Sequence, residues 1–195
     1  MLVRRSPHPV SRIPHPSPVP TQAAVDPRYP IGRWTAPDDA PATAARLIDA
    51  IAAAPAQLRA AVAGLDAAQL DTPYRDGGWT VRQLVHHVAD SHMNAYVRCK
   101  KAFTEPGAPI TAYEEALWAD TADARLAPEV SLALLDALHA RWTTFLRALA
   151  PDQLALTYRH PEMGEVPLRT ALAIYAWHGA HHTAHVTRLR ERMGW

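Results

Sequence analysis

Along one segment of this chain, Leu132, Leu135, Leu138, Trp142, Phe145, Leu146 and Leu149 recur at three- and four-residue intervals. That spacing gathers the apolar side chains on one face of a helix, whereas on a strand it would scatter them over both faces. A helix carrying such a stripe has to bury it against other elements. The partners it needs are present in the same sequence.

Gly77-Gly78-Trp79 breaks the chain, and Thr80 with Gln83 then forms a capping-box pattern that predicts a helix over Val81–Phe103. An earlier helix is expected from Asp39, with Pro41 in its first turn, towards Gly64, and Pro55 is expected to kink or split it. A connector rich in Pro and Gly covers Glu105 to Ile110, and Tyr113–Trp118 reads as a short helix. Pro128 opens the striped helix. A turn at His160–Gly164 leads to the last one, from about Pro167 to Met193, with Gly194 as its terminator. Only eight glycines occur in 195 residues and alternating apolar patterns are scarce, so a sheet-based fold is excluded. The expected fold is an all-α four-helix bundle.

Ten of the eighteen prolines fall between Pro7 and Pro41, among few large apolar residues. Residues 1–27 are therefore expected to be a disordered proline-rich tail and 28–195 the folded domain. Arg4-Arg5 is followed by no apolar export segment, which makes the cytoplasm the default location. Twenty basic against nineteen acidic residues leave a net charge of +1, which lacks the positive field of a nucleic-acid binder. No apolar run approaches the ~18–20 residues of a membrane span. The single cysteine permits neither an internal disulfide nor a CxxC site.

Eleven histidines, most of them in two clusters, carry the chemistry. In the last helix His178, His181, His182 and His185 form two His-xxx-His pairs, and histidines four apart can direct two rings at one ion. At about 100° per residue, His178 lies with Leu168, Tyr175, Val186, Leu189 and Met193 within roughly 40° of His182. His181 shares its side with Arg188 and Arg192 and should face solvent, while His185 sits at the border. The inward pair is therefore His178 and His182. Two neutral rings side by side within an apolar stripe satisfy each other poorly, and a shared metal satisfies both. The second helix offers His86, His87 and His92 beside a stripe of Val81, Leu84, Val88, Ala95 and Cys99. His86 points away from that stripe, His87 lies on its flank, and His92 is slightly favoured by spacing, which leaves the third ligand open. The common HExxH metalloprotease motif is absent.

The runs Tyr74-Arg-Asp-Gly-Gly-Trp79-Thr-Val-Arg-Gln-Leu-Val-His-His-Val-Ala-Asp-Ser-His-Met-Asn94 and Tyr175-Ala-Trp-His178-Gly-Ala-His-His182-Thr-Ala-His185 resemble the YfiT branch of the DinB-like superfamily. So do Tyr29-Pro-Ile-Gly32, His139-Ala-Arg-Trp142 and the ending Arg192-Met-Gly-Trp195, and the resemblance spans nearly everything from Tyr29 onward. It implies a four-helix bundle that binds one divalent metal, zinc or nickel, through His87, His178 and His182, as a cytoplasmic homodimer. The implied activity is that of a metal-dependent hydrolase acting on a small molecule. A related activity in the superfamily is transfer of a low-molecular-weight thiol such as bacillithiol to an electrophile. Neither reading involves nucleic acid or a membrane.

Three neutral imidazoles leave a divalent ion its charge and an open position, which suits a catalytic rather than a closed structural site. Such an ion can activate water for hydrolysis or a thiol for transfer; storing or sensing metal is the non-catalytic alternative. Asp90, three residues after His87, is a candidate acceptor or base beside the ligands, against the plainer reading of a surface carboxylate. His92, His181 and His185 can orient ligands or line the pocket. Arg82 and Arg98 can meet an anionic substrate. Cys99 reads as a small core residue, and Trp79 and Trp177 as packing anchors.

Overall fold

The Thr80–Gln83 capping box forms as the sequence predicts. The Thr80 hydroxyl accepts from the Gln83 backbone N–H at 3.2 Å, and the Gln83 side chain accepts from the Thr80 N–H at 3.0 Å. The structure, a computed structural model, describes residues 26–38 and 40–195. Most of the proline-rich tail expected over 1–27, and the helix start expected at Asp39, lie outside the described residues.

Six α-helices are described: α1 (Pro41–Val62), α2 (Ala67–Leu70), α3 (Val81–Thr104), α4 (Glu115–Trp118), α5 (Pro128–Arg147) and α6 (Leu168–Met193). The four long ones form the bundle. α1 packs on α5 and α6, and α3 packs on the same two from the other side. Gly194 closes α6 in the left-handed conformation, φ 71°, which a residue without Cβ adopts freely. None of the described helices is long and apolar enough to cross a membrane.

Two expectations need correction. The turn at His160–Gly164 is flanked by strands β1 (Thr157–His160) and β2 (Gly164–Pro167), paired antiparallel. Four residues per strand are too few to show alternation in sequence. Pro55 does not split α1, which runs unbroken from Pro41 to Val62. A proline lacks the N–H that would bond to the carbonyl four residues earlier, here that of Ile51. That carbonyl accepts instead from His139 Nδ1 on α5, at 2.7 Å.

The stripes on α3 and α5 are buried as expected, Val81, Leu84, Val88, Ala95 and Cys99 on one and Leu132, Leu135, Leu138, Trp142 and Leu146 on the other. On α6, Met193 departs from the expected apolar side and is 49% exposed. The core falls into two apolar clusters. One contains Ile48, Ile51, Ala95, Cys99, Trp142, Leu146, Leu172 and Tyr175. The other contains Leu58, Val62, Val81, Leu84, Val88, Leu132, Leu135, Val186 and Leu189. The boundary between them falls at Ala54–Pro55 on α1, His92 on α3, His139 on α5 and His178–His185 on α6.

At that boundary α6 comes close to α1. A Cβ added to Gly179 would meet Ala54 Cβ at 3.0 Å and His92 Cε1 at 3.5 Å. Gly179→Val therefore forces α1 and α6 apart and should cost about 1–3 kcal/mol of stability, read as a lower urea midpoint. An unchanged midpoint would show that this contact does not set the helix spacing.

Candidate metal centre

Helices α3 and α6 bring His87, His178 and His182 together. One ring nitrogen from each lies within 4.8 Å of the other two, with His87 and His182 buried and His178 half-buried. The Nε2 atoms of His87 and His178 are 3.3 Å apart. Two nitrogens that share one ion at ~2.0–2.1 Å stand about that far apart at a tetrahedral angle. The His182 ring is edge-on to both, its centroid 4.4 Å from that of His178 and 4.9 Å from that of His87. Among the described residues His182 Nδ1 is buried without a hydrogen-bond partner, as is His181 Nδ1; a bound cation nearby would help to explain the former.

Electrostatics favours ligation. Burial lowers the His87 pKa to about 4. It holds His178 and His182 well below their ordinary values, with smaller contributions from neighbouring histidines. All three rings are therefore neutral at physiological pH and keep a lone pair, the state a metal ligand requires.

The remaining histidines have other partners. His86, expected to point away from the α3 stripe, is buried on another flank. Its Nε2 donates to the Leu126 carbonyl at 3.1 Å, and its Nδ1 faces the Ser131 hydroxyl at 2.7 Å. His92, the inward candidate of the helical wheel, is fully buried. It bonds to His178 Nδ1 at 3.1 Å and to His139 Nε2 at 2.8 Å. His181 and His185 overturn the solvent and border expectations, with exposures of 7% and 3%. Trp177 stacks on His181 at 4.2 Å, Tyr29 lies 6.3 Å from it, and Tyr74 packs on His185 at 4.1 Å. Two of these covering residues lie outside α6, where helical periodicity cannot see them. The Nε2 atoms of His181 and His185 bond to each other at 3.0 Å.

Asp90 is half-buried, and its pKa is raised by burial and by Asp123. Among the described residues no hydrogen bond joins its carboxylate to the three histidines. Arg82 is held by Asp71 at 2.7 Å and the Leu126 carbonyl at 3.2 Å. Arg98 reaches Tyr175 Oη at 3.5 Å and the Thr111 carbonyl at 3.3 Å, while its Nε is buried without a partner among the described residues. Burial pushes the Cys99 thiol up to about 12, which removes it as a nucleophile. Trp79 packs on His87 at 4.4 Å. A cavity of about 720 Å³ among α1, α5 and α6 is lined by Trp34, Ile48, Leu146, Arg147 and Leu172 and by no histidine. It lacks the donor set, so the chemistry is assigned to the histidine cluster. His139, a hydrogen-bonded neighbour of that cluster, enters the sequence reading only within the family motif His139-Ala-Arg-Trp142; its place four residues after Leu135 and three before Trp142 is the signal that could have marked it as buried.

Comparison with known proteins agrees with this picture. The sequence profile of the DinB superfamily matches residues 50–186. A protein of Bacillus mycoides (strain KBAB4) named "Putative metal-dependent hydrolase" is 51% identical over 171 residues, 87% of this chain and 99% of its own. One of Bacillus cereus (strain B4264) with the same name is 50% identical over 173 residues, with the same coverage. YfiT from Bacillus subtilis, described as "a probable metal-dependent hydrolase with an unusual four-helix bundle topology", matches with TM-score 0.84 at 46% identity. That match covers 88% of this chain and 99% of that one. A second four-helix bundle, TT2238, shares the fold alone, with TM-score 0.52 at 24% identity over 78% of this chain and 99% of that one.

The neutral rings have a consequence for stability. Unfolded histidines titrate near ~6.5, whereas His87 in the folded chain titrates at about 4. Between those values the unfolded chain binds more protons, so stability present above pH ~6.5 is lost as the pH falls, by up to about 1.4 kcal/mol per pH unit for this ring alone. The urea midpoint of metal-free protein should be level above pH ~7 and fall steadily towards pH ~4.5. A level profile across that range would contradict the buried neutral rings.

Proposed function

The chain belongs to the DinB superfamily, and we propose that it is a metal-dependent hydrolase of a small molecule, with His87, His178 and His182 as ligands of one divalent ion. The observation that carries this reading is the convergence of three neutral imidazoles with the Nε2 atoms of His87 and His178 at 3.3 Å. The names of its relatives support it. Imidazole donors suit zinc or nickel. Bound there, a divalent ion supplies Lewis acidity and makes a nucleophile's proton easier to lose.

The chain's own residues supply the rest. Trp79 covers one face of the His87 ring. Tyr175, whose ring centroid is 5.9 Å from that of His178, connects the cluster to Arg98, whose positive charge suits an anionic substrate group. Arg82, tied to Asp71, is committed elsewhere. Asp90, three residues after His87 on α3, is the candidate proton acceptor, its carboxyl made more basic by burial.

The test is metal content by mass spectrometry of the purified protein and of His87→Ala, His178→Ala and His182→Ala variants, followed by a panel of esters and amides. About one ion per chain in the wild type, lost from each folded variant together with hydrolysis, is the expected result. A loaded protein that turns over electrophiles only with an added low-molecular-weight thiol would replace hydrolysis by thiol transfer. Variants that keep the metal would overturn the ligand assignment.

A further inference from the structure

Pro55 leaves the Ile51 carbonyl without its helical donor, and Ile51 is fully buried. A buried carbonyl needs a partner, and His139 Nδ1 is 2.7 Å away. A carbonyl oxygen only accepts, so the His139 proton must sit on Nδ1, and in a neutral ring Nε2 is then an acceptor. Facing it at 2.8 Å is His92 Nδ1, which must donate, and this turns His92 Nε2 into an acceptor. Next, at 3.1 Å, comes His178 Nδ1, which must donate in turn. The His178 proton is thereby fixed on Nδ1, and its Nε2 lone pair faces His87 Nε2 at 3.3 Å. The reverse direction would set the His139 Nδ1 lone pair against the Ile51 oxygen.

We propose that Pro55, the Ile51 carbonyl, His139 and His92 form a tautomer relay that holds His178 with its proton on Nδ1 and its Nε2 lone pair turned towards the three-histidine site. His92 and His139 are positioning residues in this relay. Both rings are enclosed: Trp142 lies edge-on to each, at 5.9 and 5.6 Å, and Tyr175 lies edge-on to His92 at 5.5 Å. Each exposes 2% of its surface or less, so water does not offer a competing donor. A ligating histidine usually turns its second nitrogen to a carboxylate or a carbonyl. Here two further rings carry that demand to a carbonyl released by a proline on another helix. The relay rests on His178 being a ligand, but the tautomer it imposes is independent of any metal.

The experiment is heteronuclear NMR of metal-free protein labelled at the histidine ring nitrogens, with zinc affinity measured by chelator competition on the same samples. In wild type His178 should show a single tautomer protonated on Nδ1. His139→Leu should give a mixture of tautomers and weaken zinc binding about 10–100-fold. His139→Gln, whose amide oxygen can accept from His92 Nδ1, should restore the single tautomer and most of the affinity. Pro55→Ala returns an N–H that competes for the Ile51 carbonyl. It should raise the unfolding temperature, as removal of a helix-interior proline does, while moving the tautomer and the zinc affinity in the direction of His139→Leu. Loss of packing alone would not pair higher stability with weaker zinc. A wild-type His178 protonated on Nε2 would overturn the relay, and so would a folded His139→Leu or Pro55→Ala protein whose tautomer and affinity both match wild type. A wild type that takes up no zinc would overturn the ligand assignment instead, and the tautomer of the metal-free protein would still decide the relay.

Discussion

An imidazole shielded from water has two ring nitrogens to satisfy, and neither can be left unpaired without cost. In this bundle most such rings lie at the layer between two apolar clusters, and each bonded ring restricts its neighbours. His86 places both nitrogens on Leu126 and Ser131, and His139 places both on Ile51 and His92. His92 spends its two on His139 and His178. The Nε2 atoms of His178 and His87 face each other, and among the described residues Nδ1 of His182 and Nδ1 of His181 are buried without a partner. Three neutral rings whose nitrogens converge within 4.8 Å are the pattern of a site that could hold a cation.

Much of this was legible in the sequence wherever the signal was local. The start of α3 follows from two side chains three residues apart. The α5 stripe and the inward turn of His178 and His182 follow from helical periodicity. Burial of His92 was legible for the same reason. The choice between His87 and His92 was not. Both rings are buried, and which of them meets His178 through Nε2 and which through Nδ1 depends on contacts between α3 and α6. His181 and His185 were misread because Tyr29 and Tyr74, which help to cover them, come from other parts of the chain. Pro55 was misread for a deeper reason. A rule about one helix treats the lost hydrogen bond as damage to that helix, whereas the fold supplies a donor from α5.

That substitution links residues that look unrelated. A proline inside a helix costs about 3 kcal/mol relative to alanine, partly through the missing hydrogen bond, and His139 offsets that part with a short bond to the same oxygen. Gly179, a helix interior residue with its own propensity cost of about 1 kcal/mol, lets Ala54 and the His92 ring approach where a Cβ would crowd both. Ala54 and Pro55 are sequence neighbours, as are His178 and Gly179, and all four meet at the boundary between the clusters. The two helix-weakening residues of α1 and α6 therefore sit at the level of the bundle where close approach and a spare carbonyl are needed. Their local cost is intelligible as a requirement of the histidine layer. Substitutions at Pro55 or Gly179, although neither side chain is a metal donor, belong physically to the same site as His178.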